Sequence, residues 1–142
     1  MIRYVRALIL VLVNIILGHF FPPFGLLFTS VLIPIITVIL CFNNHHLNYT
    51  FKAIIIYFFI ALNDIGIKLF AGGIQDNEGQ GFINLMLIVG VLLGFIYFLY
   101  SMFEDKATII LHKIISIVVF SALIVLHLNF FSWLGLGRSF IY

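Results

Sequence analysis

The stretch "GHFFPPFG", residues 18–25, decides how the first third of this chain folds. It interrupts an apolar run from Ala7 to Phe42. As a single helix this run would be about 54 Å long, well beyond the ~30 Å hydrocarbon core of a bilayer. Pro22 and Pro23 break such a helix, because proline lacks an amide N–H and its ring clashes with the preceding turn. The sequence therefore predicts two helices joined by a tight hairpin.

The composition excludes an ordinary soluble domain. Of the 142 residues, 64% are hydrophobic and 8% are charged, whereas soluble proteins average about 45–50% and about 25%. The net charge of +2 is small and scattered, so we expect no nucleic-acid partner. Cys41 is the single cysteine, which permits neither an internal disulfide nor a cysteine metal site. We expect no cofactor, and the predicted surroundings are a lipid bilayer.

Apolar segments long enough to span a membrane predict an all-α integral membrane protein with one domain over residues 1–142. No small-x-small cleavage site follows the N-terminal stretch, so we expect it to be retained as the first span. The alternative is a four-span protein with a re-entrant N-terminal hairpin, since Asn14, Gly18 and His19 dilute the first span. The five predicted spans cover approximately residues 5–21, 24–42, 51–71, 82–103 and 107–131.

The distribution of lysine and arginine predicts the orientation, because short loops rich in these residues stay in the cytoplasm. With the N-terminus inside, two basic residues, Lys68 and Arg138, lie toward the outside. We therefore predict an N-in, C-out protein of a bacterial-type inner membrane. The basic residues on the predicted inner side are Arg3, Arg6, Lys52, Lys106 and Lys113.

Small residues mark the predicted helix contacts. Gly90 and Gly94 form a small-xxx-small pair in the fourth span, which favours close approach of another helix. In the third span, Asp64 and Lys68 continue a face that carries Ala61, so both charges should point into the bundle or toward a partner protein. The opposite face, rich in Ile, Phe and Leu, is predicted to meet lipid.

Asp64 and Lys68 stand one helical turn apart, with the acid first, which is the favourable order for an ion pair. A charge near the bilayer centre costs roughly 2.5–3.5 kcal/mol on insertion scales, so these residues need a structural or a functional reason. Positions of similar depth in other spans include Asn14 and His127. We predict a polar intramembrane site that opens outward, built on Asn63, Asp64 and Lys68 and closed by His127 or Asn14.

The loop "GGIQDNEGQG", residues 72–81, is predicted to lie above this site. Gly72 and Gly73 suit a helix end with a left-handed turn. Asp76 and Glu78 offer carboxylates, but the loop lacks the alternating ligands of an EF-hand, so we predict no metal site.

Three functions remain open at this point. The first is a non-enzymatic subunit or accessory component of a larger membrane complex for secretion, export or energy transduction, or a homo-oligomer, in which Asp64 and Lys68 serve helix or partner packing. The second is a small transporter or channel coupled to ions or protons through Asp64. The third is an enzyme acting on a lipid-linked substrate at the outer leaflet, with Asp64 or His127 as the base and Lys68 holding an anionic group.

Overall fold

The computed structural model describes residues 2–42, 47–70, 77–106 and 108–136. These residues form five helices and no strand. All five helices are long and apolar enough to cross a membrane, which confirms the prediction of an all-helical chain with five such segments. The helices are α1 (Ile2–Phe20), α2 (Pro22–Cys41), α3 (Tyr49–Phe70), α4 (Asn77–Glu104) and α5 (Ile110–Phe131).

The predicted hairpin at the double proline is present. Phe21 alone separates α1 from α2, and its backbone leaves the helical region with φ −136° and ψ 73°. Pro22 and Pro23 occupy the first positions of α2, where the missing amide N–H has no intrahelical partner to lose. Gly18 and Gly25 face each other so closely that a methyl group on Gly25 would overlap the backbone of Gly18. Glycine at position 25 therefore allows α2 to run close beside α1.

At 19 residues, α1 is about 28 Å long, and α2 has 20 residues. Each of them satisfies the length and composition of a complete span. Both helices therefore have the length that the five-span prediction requires, and the choice between it and the four-span alternative stays a prediction.

The central element is α3, which packs against all four other helices. Its buried residues occupy most of its circumference, and they include Ile56, Phe59 and Ile60. The side of α3 opposite the charges is exposed in part, because Phe51 and Phe58 are 51% and 58% exposed whereas Phe59 is 5% exposed. Ile56 and Ile60 belong instead to the face of the two charges, which follow them at four-residue spacing.

Gly90 and Gly94 lie in the contact between α4 and α2. A methyl group on Gly90 would lie 2.9 Å from Ile33 Cδ1 and 3.1 Å from the carbonyl oxygen of Thr29. On Gly94 it would lie 3.0 Å from Thr37 Oγ1. All three distances are shorter than ordinary van der Waals contact, so the two glycines set how closely α4 approaches α2.

The structure begins α4 at Asn77, five residues before the predicted start at Phe82. Glu78 was expected in the outer loop, and it instead lies exposed in the first turn of α4. An acidic residue is favourable there, because the N-terminal end of a helix carries a partial positive charge. Gly72, Gly73 and Asp76, the other residues of the predicted outer loop, lie outside the described residues.

Candidate functional site

Two clusters of buried polar side chains meet on adjacent residues of α3. The first, here called the amide cluster, consists of Asn14 of α1, Thr29 of α2 and Asn63 of α3. Asn14 Nδ2 donates to Asn63 Oδ1 at 2.8 Å and to Thr29 Oγ1 at 3.0 Å. Asn63 Nδ2 donates to the same hydroxyl at 3.3 Å, and Thr29 in turn donates to the carbonyl oxygen of Gly25. Three helices are thereby joined by neutral hydrogen bonds.

The second, here called the charged cluster, consists of Asp64 and Lys68 of α3 and His127 of α5. Lys68 Nζ lies 2.7 Å from Asp64 Oδ2, and His127 Nε2 lies 2.8 Å from the same oxygen. None of the three residues is more than 3% exposed. Lys68 also donates to the carbonyl oxygen of Phe131 at 2.9 Å, near the end of α5. Asp64 thus joins α3 to α5 through His127, and Lys68 joins them through the carbonyl oxygen of Phe131.

The amide cluster and the charged cluster do not share a hydrogen bond among the described residues. Asn14 was predicted as a possible partner of Asp64, and it bonds instead to Asn63, the preceding residue. Successive residues of a helix point about 100° apart, so Asn63 faces α1 and α2 while Asp64 faces α5. The predicted single site is therefore two clusters on different sides of one helix.

The turn that follows α5 closes the charged cluster from above. Gln80 Nε2 donates to the carbonyl oxygens of Ser132 and Leu134, at 3.0 and 2.7 Å. Asn84 Nδ2, one helical turn further along α4, donates to the oxygen of Ser132 at 3.0 Å. Gly135 has a φ of +87°, and a methyl group there would overlap the carbonyl oxygen of Lys68. Glycine is needed at this position both for its backbone conformation and for its close approach to α3.

Sequence reasoning missed the role of Gln80, because the glycines on either side of it indicated a loop. A usable signal was the four-residue spacing of Gln80 and Asn84, which places two amides on one face of a helix. The carbonyl oxygens of Phe131 and Ser132 leave no signal in a sequence, since every residue carries one.

Some polar atoms of the site are buried and make no hydrogen bond to a described residue. They include Asp64 Oδ1, His127 Nδ1 and Asn14 Oδ1. When His127 donates through Nε2, its Nδ1 is an unpaired acceptor. Asp64 and His127 thus each have one polar atom engaged in their mutual bond and a second atom without a partner among the described residues.

The charged cluster is electrically balanced when His127 is neutral, since one carboxylate faces one ammonium. Burying two charges is costly, and their attraction offsets that cost only with good geometry and further hydrogen bonds. Lys68 meets this condition with two acceptors. Chemically, the cluster can hold helices together, and it can move a proton between Asp64 Oδ2 and His127 Nε2.

Among the described residues, no three His, Cys, Asp or Glu side chains come together as a metal site would require. The ammonium of Lys68 is buried and bonded within the chain, so nothing favours its predicted contact with a substrate phosphate or carboxylate.

Comparison with protein-family models, with curated proteins and with solved structures found no match. The geometry above is therefore the basis for every functional statement that follows.

Proposed function

We propose that the chain is a multi-pass protein of a bacterial-type cytoplasmic membrane, with its N-terminus inside and its C-terminus outside. The observation that supports insertion in a membrane is the distribution of side chains, since charged residues are buried and large apolar residues are exposed. Asp64 and Lys68 are 1% and 3% exposed, whereas Phe130 and Ile110 are 77% and 73% exposed. Large apolar side chains are exposed on all five helices. A protein with such an apolar surface would aggregate in water, whereas the same surface is expected of a protein that contacts lipid.

The orientation can be tested by labelling single cysteines in intact cells, with buried Cys41 replaced by serine. Glu78 at the start of α4 and Lys106 after its end are both exposed. An impermeant maleimide should label Glu78→Cys in intact cells and Lys106→Cys only after the membrane is opened. The reverse labelling pattern would show that the chain is inserted the other way.

Within that membrane we propose a role as a non-enzymatic component of a larger membrane assembly. The charged cluster supports this role, because Asp64 Oδ2 and Lys68 Nζ each have two partners within the chain and together fix α3 against α5. Within the chain, α5 packs mainly against α3. Most of the apolar surface of α5 is therefore exposed and available to another transmembrane helix.

The test is native purification in mild detergent with identification of the proteins that accompany the chain. We expect a stoichiometric membrane partner, which is lost when Val118 and Val125 on the exposed face of α5 are both changed to tryptophan. Val31→Trp, on an exposed position of α2, is the matched control. A lone monomer that moves protons in liposomes would contradict the subunit role.

A proton-coupled function is the second candidate, and one observation favours it. Lys68 and His127 meet at one buried oxygen of Asp64, while Asp64 Oδ1 and His127 Nδ1 have no partner in the part of the chain that the structure describes. Buried carboxylates and histidines are common proton carriers in membrane proteins.

Proteoliposomes that contain a pH-sensitive dye test this candidate under an imposed potassium diffusion potential. Wild-type protein should acidify the lumen at least about tenfold faster than Asp64→Asn or His127→Gln if the cluster carries protons. Glu78→Gln, at an exposed position, should leave the rate unchanged. Equal rates in all four samples would exclude the proton-coupled candidate and leave the subunit role standing.

A further inference from the structure

A second buried charge lies near the opposite end of the bundle. Lys52, in the first turn of α3, is 3% exposed and lines a cavity of about 440 Å³ between the ends of α2, α3 and α4. Asp64, the nearest member of the charged cluster on α3, lies about three helical turns away, so this cavity is separate from the cluster. Its lining includes the aromatic rings of Tyr49 and Tyr97 and the carboxylates of Glu104 and Asp105.

The ammonium of Lys52 has no ion-pair partner in direct contact among the described residues, although Asp105 attracts it from a greater distance. Its Nζ lies 4.0 Å from the centre of the Tyr49 ring, a cation–π contact. Among the described residues it makes no hydrogen bond and no ion pair, in contrast to Lys68, which has an acid and a carbonyl. The Tyr49 hydroxyl donates to the carbonyl oxygen of Ser101 and is therefore already engaged. A buried ammonium with its donors unused is a binding group for an anion.

The rim of the same cavity carries negative charge. Glu104, the last residue of α4, is exposed and forms no ion pair among the described residues. Asp105 follows it, and its Oδ2 accepts a hydrogen bond from Thr108. The cavity thus has a cation inside and carboxylates outside. A simple anion would be repelled at the rim, and a simple cation would be repelled by Lys52.

We propose that this cavity binds a zwitterionic phosphate ester of a primary amine, of the phosphoethanolamine type. The phosphate contacts Lys52 and the ammonium contacts Glu104. The order of the charges agrees with a lipid headgroup, in which the phosphate lies nearer the hydrocarbon than the amine, as Lys52 lies further inside the bundle than Glu104. The cavity volume is within the usual range of ligand sites, about 300–1,000 Å³. The lipid form of the ligand requires the membrane insertion proposed above, and the free form does not.

The test uses the full chain, purified and delipidated in maltoside micelles, with bound ligand counted by native mass spectrometry. The probes are short-chain phosphatidylethanolamine, phosphatidylcholine and phosphatidylglycerol, together with free phosphoethanolamine. We expect phosphatidylethanolamine to bind about tenfold more tightly than the other two lipids. Phosphatidylcholine lacks an N–H donor for Glu104, and phosphatidylglycerol lacks the amine altogether. Competition by free phosphoethanolamine would show that the headgroup suffices, and its absence would identify the intact lipid as the ligand.

Three variants test the contributions of Lys52 and Glu104 to binding separately. Lys52→Met should weaken phosphatidylethanolamine binding about tenfold or more, whereas Lys52→Arg should retain it. Glu104→Gln, at an exposed position that the fold does not need, should abolish the preference for phosphatidylethanolamine over phosphatidylglycerol. Lys106→Met, which removes an exposed charge at the same end of the bundle, is the control and should bind as wild type. Equal affinity of wild type for all three lipids, or unchanged binding by Lys52→Met, would overturn the proposal without touching the proposed subunit role.

Discussion

Replacing Asp64 by asparagine removes one charge from the charged cluster and preserves its shape. Lys68, which is 3% exposed, then remains buried without a carboxylate to neutralise it. Apart from the side chain at position 64, its hydrogen-bond acceptor is the carbonyl oxygen of Phe131 at 2.9 Å. Breaking a buried ion pair from one side costs about 3–5 kcal/mol. The asparagine oxygen can still accept a hydrogen bond, so we expect the lower end of that range, about 3 kcal/mol of unfolding free energy.

A second substitution reverses most of this loss. In the double variant Asp64→Asn, Lys68→Met the cluster holds no buried aspartate or lysine charge, and the remaining cost is that of the hydrogen bonds. Hydrogen bonds between membrane helices contribute about 0.6 kcal/mol on average and at most about 1.7 kcal/mol. The double variant should therefore lie about 1–2 kcal/mol below wild type, which makes it more stable than Asp64→Asn alone.

Reversible unfolding in mixed micelles of mild detergent and dodecyl sulfate, followed by far-UV circular dichroism, measures these free energies. Glu78→Gln removes an exposed carboxylate of α4 and should match wild type. The reasoning is refuted if Asp64→Asn lies within about 1 kcal/mol of wild type, or if the double variant is less stable than the single one.

Three further predictions use the same unfolding measurement. Gly25→Ala should destabilise the protein by about 1–3 kcal/mol, because the new methyl group overlaps the backbone of α1. Gly81→Ala, with no atom within 4 Å of the new methyl group, should be neutral or up to about 1 kcal/mol stabilising. Gly135→Ala should cost at least about 1 kcal/mol, since its φ of +87° suits glycine. Hydrogen exchange should then accelerate first in the turn at residues 132–136. Thr29→Val should cost about 1–2 kcal/mol by leaving two buried amides without their hydroxyl, whereas the control Ser30→Ala should cost less than about 0.5 kcal/mol.

The helices could be predicted from the sequence because each is a long apolar segment with an evident interruption on either side. The double proline gave the sharpest boundary, within two residues of the observed start of α2. The start of α4 was predicted five residues late, because residues 77–81 contain two glycines and two amides, which favour a loop. Contacts with the rest of the bundle nevertheless stabilise a helix there. Gln80 supplies two of those contacts.

The candidate site could be predicted only where its members repeat along one helix. The four-residue spacing of Asp64 and Lys68 implied their ion pair, which the structure contains. Depth matching named His127 and Asn14 among several residues at similar heights, but it could not assign His127 to Asp64 and Asn14 to Asn63. Such pairings depend on which helices are neighbours and how each is rotated, and neither property leaves a periodic signal in a single sequence.

The two partners of Asp64 are very unequally distant along the chain. Lys68 follows it by four residues, and His127 follows it by 63. At a synthesis rate of about 5–20 residues per second, Asp64 is added to the chain about 3–13 s before His127. During that interval, Lys68 alone can neutralise the aspartate, so α3 can enter the lipid as a balanced segment before α5 is made. The local ion pair thereby makes the helix insertable, and the later histidine bond fixes its place in the finished bundle.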